Sequence, residues 1–149
     1  MKFLLVEDDN SKAEDVITYI KSQIDEVYID VAKSYHSGLK CAYTNDYDLM
    51  IVDMTLPKYD GDACADESSL HNGGAILISY VLELGKKIRC IVLTQYETFM
   101  GETLGDINNR LIADCSEIYI GCVKYDSTSE SWKQKLIDKI NYAIVINNR

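Results

Sequence analysis

Short apolar runs alternate along the chain with stretches in which apolar residues recur every three or four positions. The runs are continuous rather than alternating, which is typical of strands buried on both faces of a parallel sheet. The spacing between the runs predicts helices that cover such a sheet. The predicted strands are Phe3–Val6, Val27–Ala32, Leu49–Val52, Cys90–Leu93 and Ile118–Val123. Strict alternation of five strands with five helices predicts a single α/β domain over residues 1–149.

The predicted helices follow from the apolar spacing and from residues that favour helix ends. The first has Asn10 or Ser11 as its expected cap, and the last is expected to begin after a cap at Ser127 to Ser129. The five segments run from Ala13 to Ile24, around Leu39 to Tyr43, over Ala75–Leu84, between about Glu97 and Asp114, and through Trp132, Leu136, Ile140 and Ala143.

One stretch, Lys58 to Gly74, fits neither pattern. It is long, contains three glycines and several acids, and is expected to be a loop between the third strand and the third helix. Loops of this length in compact domains are usually functional or disordered.

The net charge of the chain limits the kinds of partner that it is expected to bind. It has 15 basic and 24 acidic residues, a net charge of −9. Nucleic-acid binding and attachment to an anionic membrane both depend on basic residues, so neither is expected. No apolar run approaches the length of a membrane span, and the run at the N-terminus is too short for a signal peptide. Five cysteines without a CxxC pair indicate reduced thiols and a cytoplasmic protein.

Polar residues stand where the predicted strands end. Glu7 and Asp8 follow the first strand, Asp53 the third, Thr94 the fourth and Lys124 the fifth. The carboxyl ends of parallel strands meet at one edge, where sites of such sheets form. Clustered carboxylates favour a cation, and oxygen ligands suit Mg²⁺. A carboxylate can also accept a phosphoryl group, whose oxygens a hydroxyl and an ammonium would hold. The pattern therefore predicts metal-dependent phosphoryl transfer to Asp53.

Each of these residues could also serve the structure alone. The acids after the first strand could cap a helix, and Asp53 could shape a turn. Thr94 could simply end its strand, and Lys124 could be a surface lysine. The functional interpretation is favoured because all of them occur together and in this order.

The segments FLLVEDD, YDLMIVDMTLP, CIVLTQ and GCVKY resemble the receiver domains of two-component response regulators, the CheY-like family. The resemblance covers nearly the whole chain and implies a flavodoxin-like, doubly wound sheet with strand order 2-1-3-4-5. It also implies that Asp53 is the phosphoacceptor and that Asp8 binds Mg²⁺, with Glu7 assisting. The backbone carbonyl of Thr55 would be a further metal ligand.

The same resemblance assigns Thr94 and Lys124 to the phosphoryl oxygens. It implies a sensor histidine kinase or phosphotransfer protein as phosphoryl donor, and an unknown protein as the downstream target. The family changes shape on the face of its fourth helix, fifth strand and fifth helix. The chain is then a signalling phosphoacceptor of a phosphorelay, with only autophosphorylation and slow autodephosphorylation of its own. No output domain is expected after the last helix.

Three positions depart from the family pattern. Gln95 replaces a small residue after the threonine, and Tyr125 replaces the proline that follows the lysine through a cis bond. Gly121 stands where the family has a switch aromatic, a role open to Tyr119 or Tyr125 instead. These departures leave an alternative open, namely a pseudo-receiver that binds proteins without phosphorylation.

A second alternative is a hydrolase that uses Asp53 as a transient nucleophile on a phosphate ester. Such enzymes usually carry another aspartate two residues later, where this chain has Thr55.

Overall fold

The structure is a computed structural model and describes residues 1–62 and 69–149. A parallel sheet forms its centre. The strands are β1 (Lys2–Val6), β2 (Tyr28–Ala32), β3 (Leu49–Val52), β4 (Arg89–Thr94) and β5 (Tyr119–Lys124). They lie side by side in the order β2-β1-β3-β4-β5, which confirms the predicted doubly wound sheet.

Five helices cover the two faces of this sheet. They are α1 (Asn10–Gln23), α2 (Tyr35–Thr44), α3 (Gly73–Glu83), α4 (Leu104–Asp114) and α5 (Ser131–Asn147). Successive strand residues point to opposite faces. In β1, Phe3 and Leu5 pack with α1 and α5, whereas Leu4 and Val6 pack with α2, α3 and α4. The apolar stripe of α5 around Trp132 is buried, as expected. Glu130 directly precedes this helix without a side-chain cap, and the Ser129 hydroxyl accepts a hydrogen bond of 3.0 Å from the Ser131 N–H.

The prediction that α4 starts near Glu97 was wrong. A two-residue antiparallel hairpin, Thr98–Phe99 with Glu102–Thr103, comes before the helix. Its turn residues Met100 and Gly101 both have positive φ, 53° and 84°. That backbone matches the right-handed twist of a tight hairpin. The side chain of Thr103 then caps α4.

The loop expected over Lys58 to Gly74 is shorter than predicted. Leu56–Pro57 pairs with Ser69–Leu70 as a two-residue antiparallel ladder, which closes the base of the loop. The final two residues of the predicted loop belong to the first turn of α3, which begins at Gly73. Residues 63–68 lie outside the described part of the chain.

The cysteines that the structure describes are free thiols, and Cys64 lies outside the described residues. These free thiols are Cys41, Cys90, Cys115 and Cys122. Within residues 1–62 and 69–149, none of the helices is both long and apolar enough to cross a membrane.

The start of α3 is packed directly against the end of β3. A Cβ atom on Gly74 would overlap the carbonyl oxygen of Asp53, so only glycine fits there. The Gly74 amide also donates a hydrogen bond of 2.9 Å to the carbonyl of Met54. The backbone of Asp53 is thereby fixed against α3.

Replacing Gly74 with alanine should therefore destabilise the fold by about 1–3 kcal/mol, the usual range for overpacking. Urea unfolding followed by circular dichroism measures the change. Gly105→Ala is the matched control, because its Cβ would meet its nearest neighbour, the Thr103 hydroxyl, only at 3.7 Å. Alanine suits a helix better than glycine, so this control should gain up to about 1 kcal/mol. Equal stability of the two variants would contradict the close contact at Gly74.

Candidate functional site

Two adjacent strands bring three carboxylates together. Val6 and Val52 are paired in register, so the residues that follow them leave the sheet at the same point. One carboxylate oxygen each from Glu7, Asp8 and Asp53 lies within 4.8 Å of the others. Glu7 and Asp53 are buried, and Asp8 is half-buried. The sequence placed these three residues at one edge, and the structure brings them into contact range.

Asp53 is held in a defined orientation. Its Oδ1 accepts a hydrogen bond of 2.8 Å from the backbone N–H of Met54. Its Oδ2 lies 3.4 Å from the ammonium of Lys12. The side chain is 8% exposed and lines a cavity at this edge of the sheet.

Asp9 has a different role from its two acidic neighbours. Its carboxylate accepts hydrogen bonds from the backbone N–H groups of Ser11 and Lys12 and so caps α1. The cap expected at Asn10 or Ser11 was therefore misplaced. A carboxylate satisfies the free N–H groups of the first turn and is favoured by the helix dipole.

A buried lysine, Lys12, is the feature that sequence reasoning missed. Its side chain is 2% exposed, and its ammonium donates to Glu7 Oε2 at 2.8 Å and to the carbonyl oxygen of Leu93 at 2.8 Å. A signal for it exists in the sequence. Lys12 continues the apolar stripe of Val16 and Ile20 at a spacing of four, so it faces the core directly beside the acidic segment.

Burial raises the pKa of the Glu7 carboxyl to about 8, and the negative charge of Asp53 adds to the increase. The ammonium of Lys12 acts in the opposite direction. The surroundings of Glu7 thus hold back its ionisation.

Thr94 ends β4 with a fully buried side chain. Among residues 1–62 and 69–149, its hydroxyl finds no hydrogen-bond partner. An unpaired buried hydroxyl carries a desolvation cost, which a hydrogen-bond acceptor at this edge would relieve.

The lysine that the sequence predicted at this site, Lys124, pairs in the described part of the chain with a residue outside the carboxylate cluster. The Lys124 ammonium forms an exposed ion pair of 2.6 Å with Glu97. Exposed pairs of this kind are weak, so this contact does not fix the side chain. Thr55 is half-buried, and its hydroxyl donates to the carbonyl oxygen of His71 at 3.2 Å.

An open cavity of about 500 Å³ lies over the carboxylates. One wall is acidic and the opposite wall belongs to the hairpin before α4. Its lining residues are Glu7, Asp8, Asp9, Asp53, Thr55, His71, Gln95, Tyr96, Thr98, Phe99 and Met100. The carboxylates, with the Thr55 carbonyl nearby in the chain, supply hard oxygen donors beside open space. This donor set fits Mg²⁺, which takes few protein ligands and keeps water or phosphate oxygens.

Tyr125, which replaces the family proline, packs beside the site. The bond between Lys124 and Tyr125 is trans. The Tyr125 ring lies 5.5 Å from the Lys12 ammonium, and its hydroxyl donates to Asp15 at 2.7 Å. The sequence did not decide between a cis and a trans bond here. With the trans bond, the Tyr125 ring lies beside the Lys12 ammonium.

Gly121, which stands where the family has a switch aromatic, has a φ of 151°. It lies at a register shift between β4 and β5, and a Cβ there would approach the Lys139 ammonium at 3.1 Å. An aromatic residue would be strained at this position. Of the two substitutes considered, Tyr119 donates its hydroxyl to Asn108 on α4, and Tyr125 packs beside Lys12.

The raised pKa of Glu7 predicts a pH dependence of stability in the absence of metal. Between about pH 4.5 and 8, the folded state keeps a proton on Glu7 that the unfolded state has lost. Stability from this group should therefore fall as pH rises through that window. Urea unfolding in EDTA, at several pH values, should show this loss in the wild type and not in Glu7→Gln. A constant difference between the two proteins would contradict the raised pKa.

The curated relatives of this chain include a response regulatory protein. No protein-family model matches the chain. A Detocs response regulatory protein, DtcB of Enterobacter cloacae (strain JD6301), is 28% identical over 147 residues, covering 94% of this chain and 98% of the relative.

Solved structures share the fold. A response regulator receiver domain from Clostridium thermocellum superposes with a TM-score of 0.66 at 21% identity, covering 99% of this chain and 96% of the other. The signal receiver domain of an HD domain-containing protein from Pseudomonas fluorescens Pf-5 gives 0.69 at 14% identity, covering 99% and 96%. The resemblance to the receiver domains of response regulators, drawn from the sequence, is therefore confirmed, and the chain has the receiver fold.

Proposed function

We propose that this protein is a phosphoacceptor of a two-component phosphorelay, switched by Mg²⁺-dependent phosphorylation of Asp53. The observation that carries the proposal is the cluster of Glu7, Asp8 and Asp53 at the floor of an open cavity. The relative named as a response regulatory protein supports a signalling role rather than a metabolic one.

Asp53 is suited to be the nucleophile. The hydrogen bond from the Met54 N–H fixes one carboxylate oxygen, and the rigid contact with Gly74 fixes the backbone behind it. A carboxylate oxygen would attack the phosphorus atom of the donor. The bond from phosphorus to the donor nitrogen or oxygen would break, and the leaving group would keep its electron pair. Positioning of this kind supplies much of the catalysis in phosphoryl transfer.

A divalent cation would be held by Glu7, Asp8, Asp53 and the Thr55 carbonyl. When bound, it would offset the negative charge of the phosphoryl oxygens. The buried hydroxyl of Thr94 would donate a hydrogen bond to one of these oxygens, which gives this group the partner it otherwise lacks among the described residues. Lys124 would leave its weak pair with Glu97 and bind another.

The phosphoryl donor would be a sensor histidine kinase or a phosphotransfer protein in the cytoplasm. Gln95 lines the cavity and would slow the entry of donors or the hydrolysis of the phosphate. Phosphorylation would then change which protein binds the face formed by α4, β5 and α5. The target is a protein that the sequence does not name.

One observation favours the pseudo-receiver as a second candidate. Lys124 is half-exposed and pairs with Glu97 rather than with the acceptor. In a protein-binding module that is never phosphorylated, this arrangement would be the permanent one.

Incubation with a small phosphoryl donor and Mg²⁺ should produce one phosphoryl adduct, measured as intact mass. Asp53→Asn should lose the adduct, because the nucleophilic oxygen pair is gone while the shape is kept. Asp25→Asn, an exposed residue after α1, is the matched control and should keep it. An adduct in Asp53→Asn would sink the assignment. If wild type formed no adduct even with its cognate kinase, the result would favour the pseudo-receiver.

Removal of the ammonium in Lys124→Met should spare Mg²⁺ binding and lower the rate of adduct formation about tenfold or more, as expected for loss of a charge-assisted contact in the transition state. Glu97→Gln is the companion variant, since it removes the partner that holds Lys124 away. It should keep or increase the rate. Unchanged rates in Lys124→Met would show that this lysine is structural only.

A further inference from the structure

The mechanism above does not use the buried ammonium of Lys12. Three oxygen atoms surround it: Glu7 Oε2 and the Leu93 carbonyl at 2.8 Å each, and Asp53 Oδ2 at 3.4 Å. The aromatic face of Tyr125 lies on another side, 5.5 Å away. A buried ammonium is stable only with such a complete set of partners.

Lys12 approaches the carboxylates from a side that does not face the cavity. Glu7, Asp8 and Asp53 line the cavity, whereas Lys12 is buried and does not. Its contact with the Leu93 carbonyl ties it to the residue directly before Thr94. The ammonium and a divalent cation could therefore contact the same carboxylates from different sides.

Two positive charges on the same carboxylates repel each other. The ammonium lies within 3.4 Å of two of the three carboxylates that would hold the metal. Repulsion at such distances, in a partly buried site, is large compared with the same charges in water. Any cation bound on the cavity side therefore meets a site that is already partly neutralised.

We propose that Lys12 is a resident counter-ion of the acceptor site. It holds Glu7 and Asp53 together without a metal, and it makes the site bind Mg²⁺ more weakly than the same carboxylates would alone. The proposal rests on the proposed function only in placing the metal at these three carboxylates. Within that site, Lys12 is a positioning residue that sets the metal requirement.

Magnesium titration by calorimetry, without any phosphoryl donor, tests the proposal. Lys12→Met should bind Mg²⁺ about tenfold tighter or more, because the competing charge is removed. Lys21→Met, an exposed lysine in the last turn of α1, removes the same charge from the same helix and should bind like wild type. Lys12→Gln, which keeps a hydrogen-bond donor without the charge, is measured beside them and should also bind more tightly.

The direction of the change separates this role from a structural one. A lysine that only shaped the site would weaken Mg²⁺ binding when lost, and unchanged or weaker binding in the Lys12 variants overturns the proposal. Unfolding in EDTA gives a second readout. The Lys12 variants should gain more stability from Mg²⁺ than wild type does, and variants that stay unfolded in saturating Mg²⁺ also overturn it.

Failure of the proposed function would look different. Tighter Mg²⁺ binding in the Lys12 variants, with no phosphoryl adduct on wild type from its kinase, would contradict the proposed phosphorylation and support the counter-ion role of Lys12. An adduct on Asp53 with equal Mg²⁺ affinity in all the proteins would support the proposed phosphorylation and contradict the counter-ion role of Lys12.

Discussion

Negative charge gathered at the carboxyl edge of the sheet is the constraint on which the rest of the structure depends. The register of β1 and β3 forces Glu7 and Asp53 to leave the sheet side by side. Both are buried, so it is costly to ionise them together, and burial with the charge of Asp53 raises the pKa of Glu7. Lys12, from the first turn of α1, supplies a positive charge beside both carboxylates. Asp9, from the same acidic segment, caps α1. The sheet edge and the helix that follows it are thus one electrostatic unit.

The sheet was predictable from the sequence because strands covered on both faces leave continuous apolar runs. All five strands and their order are as expected. The edge acids were also identifiable, because charged residues directly after buried parallel strands meet at one edge. The hairpin before α4 was missed, because helical spacing hid a turn that depends on the positive φ of Met100 and Gly101.

The ion pairing at the site was harder to predict. Lys124 matches the family pattern, yet its ammonium contacts Glu97, a residue on a segment whose conformation the sequence did not predict. Lys12 was overlooked because a lysine on an apolar stripe is usually taken as one that extends to solvent. Its burial depends on Tyr125 and the Leu93 carbonyl, which come from distant parts of the chain. Pairings of this kind are tertiary, and local spacing alone does not reveal them.

The tight contact between Gly74 and Asp53 makes the two sides of the cavity different in construction. On the α3 side, the backbone of Gly74 lies against the backbone of Asp53 with no side chain between them. On the other side, the wall is a two-residue hairpin that follows Glu97, whose ion pair with Lys124 at the end of β5 faces solvent. A shift of the Asp53 backbone toward α3 would therefore meet the backbone of Gly74, whereas the hairpin side is joined to β5 by an exposed ion pair.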